Sequence, residues 1–181
     1  RHNIDTWAFA DVFAPALILG QSVGRMANLM NGDAFGHPTG GNFGILYPET
    51  TLAFKTYGAQ PLWPAEIWEG QIDILIFVAL LLFNTIPHKK GQTFVLYAIL
   101  YSTARFFLEF LRGDYVNLTM GLKSAQMTSL TVIIIGIIVF IYLQVKGSYD
   151  AHLYGVDGDE NSSTNASSGK SSEDKTKRKR K

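Results

Sequence analysis

Tyr101, Arg105, Glu109 and Arg112 are spaced four, four and three residues apart inside an otherwise apolar stretch, 93–111. On a helix this spacing places all four side chains on one face. The stretch is about long enough to cross a bilayer. Charges at membrane depth are costly, so those that occur there line a cavity or meet a polar ligand. The row therefore points to a membrane protein with a site for an anion. Guanidinium groups fork onto phosphate and carboxylate. Glu109, one turn from Arg105, can orient it or accept a proton from a hydroxyl. Tyr101 can hydrogen-bond a phosphate or ester oxygen. The plainer alternative is an internal Arg105–Glu109 pair that only joins helices.

A second group precedes it in the chain, in Gly24-Arg25-Met26-Ala27-Asn28-Leu29-Met30-Asn31-Gly32-Asp33-Ala34-Phe35-Gly36. Arg25 offers the same forked donors. Asn28 and Asn31 can hold Arg25 or contact ligand hydroxyls, and Asp33 is an acceptor for either. Gly36 and its neighbouring glycines permit close approach of the backbone. The plainer alternative is an interfacial arginine reaching for headgroups, with Asn and Gly as turn formers. Glu66, Glu69 and Asp73 read as residues at a helix mouth that cap it. Asp11 reads as the partner of a buried arginine, or as a residue facing a part of the protein outside this chain.

The elements that must position these groups follow from hydropathy. The chain has 181 residues, is 47% hydrophobic and has no cysteine, which excludes disulfides, thiolate metal sites and a cysteine nucleophile within it. The net charge of +1 hides an asymmetry: half of the Lys and Arg residues lie from Lys146 onward. This is the pattern of an all-α membrane region, 1–146, followed by a disordered basic tail, 147–181. Four membrane helices are expected, at 7–23, 72–86, 93–111 and 127–145. Asp11 and Pro15 mark the first as kinked or partly interfacial. Lys89, Lys90 and the tail put the 87–91 connection and the C-terminus on the cytoplasmic side, and the long segment 24–70 outside. That segment, rich in Gly, Pro and aromatics, is a chain of turns and a functional loop. The chain begins at Arg1 without a methionine and is expected to be a piece of a longer protein.

The stretch 24–36 closely resembles the most characteristic motif of the bacterial prolipoprotein diacylglyceryl transferases, Gly-Arg-x-Gly/Ala-Asn-Phe-hydrophobic-Asn-x-Glu-x-x-Gly. Gly24, Arg25, Ala27, Asn28, Asn31 and Gly36 match, while Leu29 replaces Phe and Asp33 replaces Glu. Trp63-Pro64-Ala65-Glu66-Ile67-Trp68-Glu69 resembles the family's His-Pro-x-Gln-Leu-Tyr-Glu, with Pro64 and Glu69 identical. Tyr101, Arg105, Glu109, Phe110 and Arg112 match the family's Tyr-x-x-x-Arg-Phe-x-x-Glu-Phe-x-Arg helix. The resemblance covers roughly 1–145.

The resemblance implies a bacterial inner-membrane protein of seven helices, of which this chain looks like the last four. It implies transfer of a diacylglyceryl group from phosphatidylglycerol to the thiol of a lipobox cysteine in a prolipoprotein signal peptide, with glycerol phosphate leaving. Arg25, Arg105 and Glu109 are then the expected catalytic residues. Arg25, Asn28, Asn31, Asp33, Gly36, Tyr101 and Arg112 are the expected substrate-binding ones. No cofactor, metal or nucleic acid is expected. The family's His-Gly-Gly region, with its proposed base, is not among these residues, so this chain alone is expected to be inactive. A competing reading is a transporter or channel fragment for an anionic solute, with Arg25 and Arg105 on its path.

Overall fold

The computed structural model describes residues 5–113, 118–119 and 121–148. The expected basic tail therefore lies almost wholly outside the described residues. Among the described residues five helices and a small hairpin follow one another: α1 (Thr6–Asn31), α2 (Leu52–Tyr57), α3 (Ala65–Phe83), α4 (Gln92–Leu108), β1 (Leu118–Thr119), β2 (Leu122–Lys123) and α5 (Ser124–Lys146). The strands pair antiparallel, Leu118 opposite Lys123.

The four long helices fall where the apolar stretches predict them, but the ends differ. The helix expected over 7–23 runs on to Asn31, because Met26, Ala27, Leu29 and Met30 are strong helix formers and outweigh Gly24. It continues through Pro15 as well. It starts at Asp5, whose carboxylate accepts from the Trp7 and Ala8 amides at 3.1 and 3.5 Å. Lys90 donates to the same carboxylate at 3.1 Å and holds Asp5 below the ordinary carboxylate range. The helix ends at Gly32, in the left-handed conformation at φ 70° that glycine adopts freely. The Arg25 motif is thus the last two turns of a helix, not the start of a loop.

Among the described residues only α1 and α5 are both long and apolar enough to cross a membrane by length and composition. The other two fall short for separate reasons. α3 carries Glu66, Glu69 and Asp73, and α4 has 17 residues. At 1.5 Å per residue α4 is about 26 Å long, slightly less than a hydrocarbon core of about 30 Å.

α1 packs on α3 and α4, and α4 packs on α5. Ala14, Ile18, Ile76 and Leu80 form the centre, with Phe94, Leu100 and Ala104 closing on it. Glycines set two of the close approaches. A side chain on Gly70 would meet Arg25 Cβ at 3.3 Å, and one on Gly136 would meet Ile99 Cγ1 at 2.7 Å. Ser22 adds a buried hydrogen bond to the Gly70 carbonyl at 3.0 Å. The outer faces of α3 and α5 expose Leu75, Leu82, Ile134, Ile135 and Ile138, which suits lipid contact.

Asp11 neither pairs with an arginine nor points out of the chain. It is buried and caps a different helix. Its carboxylate accepts from the Gly91 and Phe94 amides at 2.6 and 2.9 Å. The N-cap of α4 is Gly91 at φ 87°, which offers no side-chain acceptor of its own, so the cap comes from α1.

The segment between α1 and α3 folds as a small unit over its own core of Phe35, Tyr47, Ala53 and Leu62. It contains α2, which the chain-of-turns reading did not foresee. Thr51 caps α2 by accepting from Phe54 N at 3.3 Å.

Candidate functional site

Three helices bring their charges to one place. Arg25 comes from the end of α1, Glu69 from the first turns of α3, and Arg105 from the last turn of α4. Glu109 is the C-cap of α4, and Arg112 follows in the turn beyond it. The expected single helical row is therefore broken after Glu109. Arg112 still returns to the cluster because its backbone is pinned in a bridge opposite Gly36.

Glu69 is the hub. Arg25 Nη2 lies 2.6 Å from its Oε1. Arg105 Nη1 donates to both of its oxygens, at 3.3 and 3.2 Å. Arg112 Nη1 stands 3.7 Å away. Its side chain is 3% exposed. The helix-mouth capping reading of Glu69 is therefore incorrect, because the surrounding guanidinium groups recruit the carboxylate inward. Glu109 is a second acceptor, with Arg105 Nη2 at 3.1 Å, Arg112 Nε at 3.9 Å and Lys123 Nζ at 3.7 Å. Three arginines and a lysine thus converge on two carboxylates. Asp73, fully buried one turn along α3, lies within the field of Glu69, Arg25 and Arg105. Its two oxygens take no hydrogen bond among the described residues.

Lys123 carried no signal in the sequence, because what it chiefly binds is backbone. Its ammonium donates to the carbonyls of Glu109 at 2.8 Å and Arg112 at 2.6 Å. Glu69 did carry a signal: its identity with the family-like motif at 63–69.

Gly36 crosses between two backbones. Its amide donates to the Trp63 carbonyl at 3.1 Å, and the flanking Gly113 N donates to Phe35 O at 3.1 Å. A side chain at Gly36 would run into the Trp63 carbonyl oxygen and lie 2.6 Å from Trp63 Cβ. The expected close approach is thus to protein backbone. Next to it, Tyr57 donates to Gly113 O at 3.0 Å, with His37 Nδ1 at 3.3 Å from its hydroxyl.

The other expected residues divide. Tyr101 stacks on Tyr97 with ring centroids 6.1 Å apart, and with Arg105 it lines an open cleft of about 540 Å³ between α4 and α5. Ser102, Ser124, Thr128 and Ser129 add hydroxyls to its wall. Asn28 serves through its main chain, accepting from Asp33 N at 3.0 Å in the α1 C-cap. Asn31 is exposed and Asp33 half-buried, and neither side chain is bonded to the ion cluster among the described residues. Among the described residues no group of three or more His, Asp or Glu side chains is arranged to hold a metal ion.

A mostly helical fold, with two helices long and apolar enough to cross a membrane and a buried cluster of arginines and carboxylates, is consistent with a membrane protein of the all-α class. The family described as prolipoprotein diacylglyceryl transferase matches residues 1–142. The chain is 37% identical over 144 residues to the phosphatidylglycerol–prolipoprotein diacylglyceryl transferase of Oceanobacillus iheyensis, covering 77% of this chain and 50% of that protein. It is 36% identical over 155 residues to the protein of that name from Staphylococcus haemolyticus, covering 84% and 54%. For the one from Bacillus velezensis the figures are 32% over 150 residues, 82% and 55%. The chain belongs to the prolipoprotein diacylglyceryl transferase family. It spans about half the length of the curated relatives it matches.

Proposed function

We propose that this chain is part of an enzyme that moves a diacylglyceryl group from phosphatidylglycerol to a prolipoprotein cysteine thiol. The relatives' names supply the lipid and the acceptor protein. The observation that carries the reading is the convergence of the Arg25, Arg105 and Arg112 guanidinium groups around Glu69. Phosphatidylglycerol brings one phosphate negative charge, which such a cluster attracts. In the reaction the substrate sulfur forms a bond to the glyceryl carbon, and the carbon–oxygen bond to phosphate breaks. The electron pair leaves with glycerol phosphate, and the thiol proton passes to a base. Arg25 and Arg105 stabilise charge growing on the leaving phosphate, an effect strengthened where water is excluded. Glu69 and Glu109 hold these guanidinium groups in orientation before lipid arrives. Tyr101, beside Arg105 in the cleft, is placed to bond a phosphate or ester oxygen. α1, α3, α4 and α5 span the membrane, with the cluster towards the outer leaflet and the C-terminal tail in the cytoplasm.

The test uses the full-length protein in vesicles containing phosphatidylglycerol, with a lipobox peptide as acceptor. Wild-type protein should transfer, and Arg25→Ala and Arg105→Ala should each lose at least about a hundredfold in rate. Undiminished transfer in both variants would refute the site. Flux of an anionic solute without transfer would favour a channel or transporter.

A further inference from the structure

Lys123 occupies a position that helix chemistry disfavours. It is the N-cap of α5, where a side-chain acceptor is wanted and a positive charge is unwelcome. Gln126 serves half of that need by accepting from Lys123 N at 3.0 Å. The lysine side chain offers no acceptor for the other half. Its ammonium turns instead to α4 and donates to Glu109 O at 2.8 Å and Arg112 O at 2.6 Å. Glu109 is the C-cap of α4 and Arg112 lies in the turn just beyond, so the ammonium sits at the negative end of the helix, where a cation is favourable. The same ammonium stands 3.7 Å from Glu109 Oε1. The β1–β2 pairing fixes the register of Lys123, and the Lys123 side chain is 14% exposed.

Building on the transferase reading, we infer that Lys123 is a positioning residue for the arginine cluster. It acts through the main chain of the segment that carries Glu109 and Arg112. One ammonium ties both carbonyls, three residues apart, to the start of α5. This fixes the turn after α4, so Glu109 stays against Arg105 and Arg112 stays within reach of Glu69. It also adds positive potential to the site without pointing at substrate. A ligand for this arrangement is a phosphate monoanion, as on a phosphatidylglycerol headgroup.

Small displacements in such a site are expensive, since about 1 Å can cost on the order of a hundredfold in rate. Lys123→Met removes the ammonium and keeps most of the stem. Lys123→Arg keeps a cation able to reach one of the two carbonyls. Both are measured in the full-length protein as transfer from phosphatidylglycerol vesicles to a lipobox peptide, with thermal melting in detergent alongside. Lys123→Met should lower kcat/KM about tenfold. Most of that loss should fall in kcat, and melting should stay within a few degrees of wild type, a small-perturbation range for a chain this size. Lys123→Arg should recover at least a third of the lost activity. Wild-type kinetics in Lys123→Met would overturn the inference. So would a matched collapse of melting temperature and activity in both variants, which would mark a folding role only. If wild-type protein itself transfers nothing, the transferase reading fails and this inference falls with it. An active wild type with an unaffected Lys123→Met sinks this inference alone.

Discussion

Glu69 gathers two guanidinium groups within 3.3 Å and a third at 3.7 Å while nearly sealed from solvent. Removing one partner from a buried ion network leaves the others desolvated and unmatched. Glu69→Gln should therefore destabilise the protein by about 3 kcal/mol, read as a shifted denaturant midpoint in detergent. It should also cost transfer activity, because Arg25 and Arg105 would lose their common acceptor. Gly36 is sensitive for a steric reason. Gly36→Ala drives a methyl group into the Trp63 carbonyl, so the bridge to Arg112 should open. An unchanged melting temperature and unchanged transfer in that variant would contradict the packing described. At this scale the sequence was informative about types and less so about partners. The four-residue spacing of Arg105 and Glu109 exposed their pairing directly, because helical periodicity converts spacing into proximity. Nothing local in the chain tells Glu69 from an ordinary cap, since its partners lie 44 residues before and 36 after it.

The helices are held by caps borrowed across the fold. Asp11 reaches from α1 to the first amides of α4, and Lys123 reaches from α5 to its last carbonyls. Loss of an N-cap acceptor costs about 1 kcal/mol. Asp11→Ala should show that loss or more, since it also leaves buried amides unpaired. Hydrogen exchange at Gly91 and Phe94 should accelerate in the variant, and unchanged exchange there would contradict the cap. Asp5 provides a pH test of the same kind. Its folded pKa is depressed, mainly by Lys90. Its contribution is complete above the unfolded value of 3.8 and is lost as pH falls through the lower folded value. Asp5→Asn should lower stability at neutral pH, with the difference from wild type vanishing as pH falls through that acidic window, and unchanged stability at neutral pH would count against the clasp. Helix positions were legible because runs of apolar residues persist for many turns. Helix ends were not, because capping here is done by residues distant in sequence. α2 was hidden for a similar reason: six residues give too little periodicity to stand out from turns.

For the molecule as a whole, charge distribution is the legible quantity and sidedness is what it predicts. Lys89 and Lys90 lie in the connection between α3 and α4, whereas the unit between α1 and α3 adjoins the arginine cluster. The chain contains no cysteine, so single introduced thiols report location cleanly in a cysteine-free full-length background. Asn42→Cys should react with a membrane-impermeant maleimide added outside intact cells, and Pro87→Cys only after permeabilisation. The reverse pattern would invert the proposed topology.

The borrowed cap on α4 has a metric consequence. Gln92 and Arg105 are separated by 13 helical steps, a fixed rise of about 20 Å. Asp11 grips one end of that rod, so it works as a depth gauge for the guanidinium at the other. If α4 slid by one turn, Arg105 would be carried about 5 Å along the membrane normal. On the proposed topology, the carboxylate at one end of α4 thereby sets the height at which Arg105 would meet a lipid phosphate.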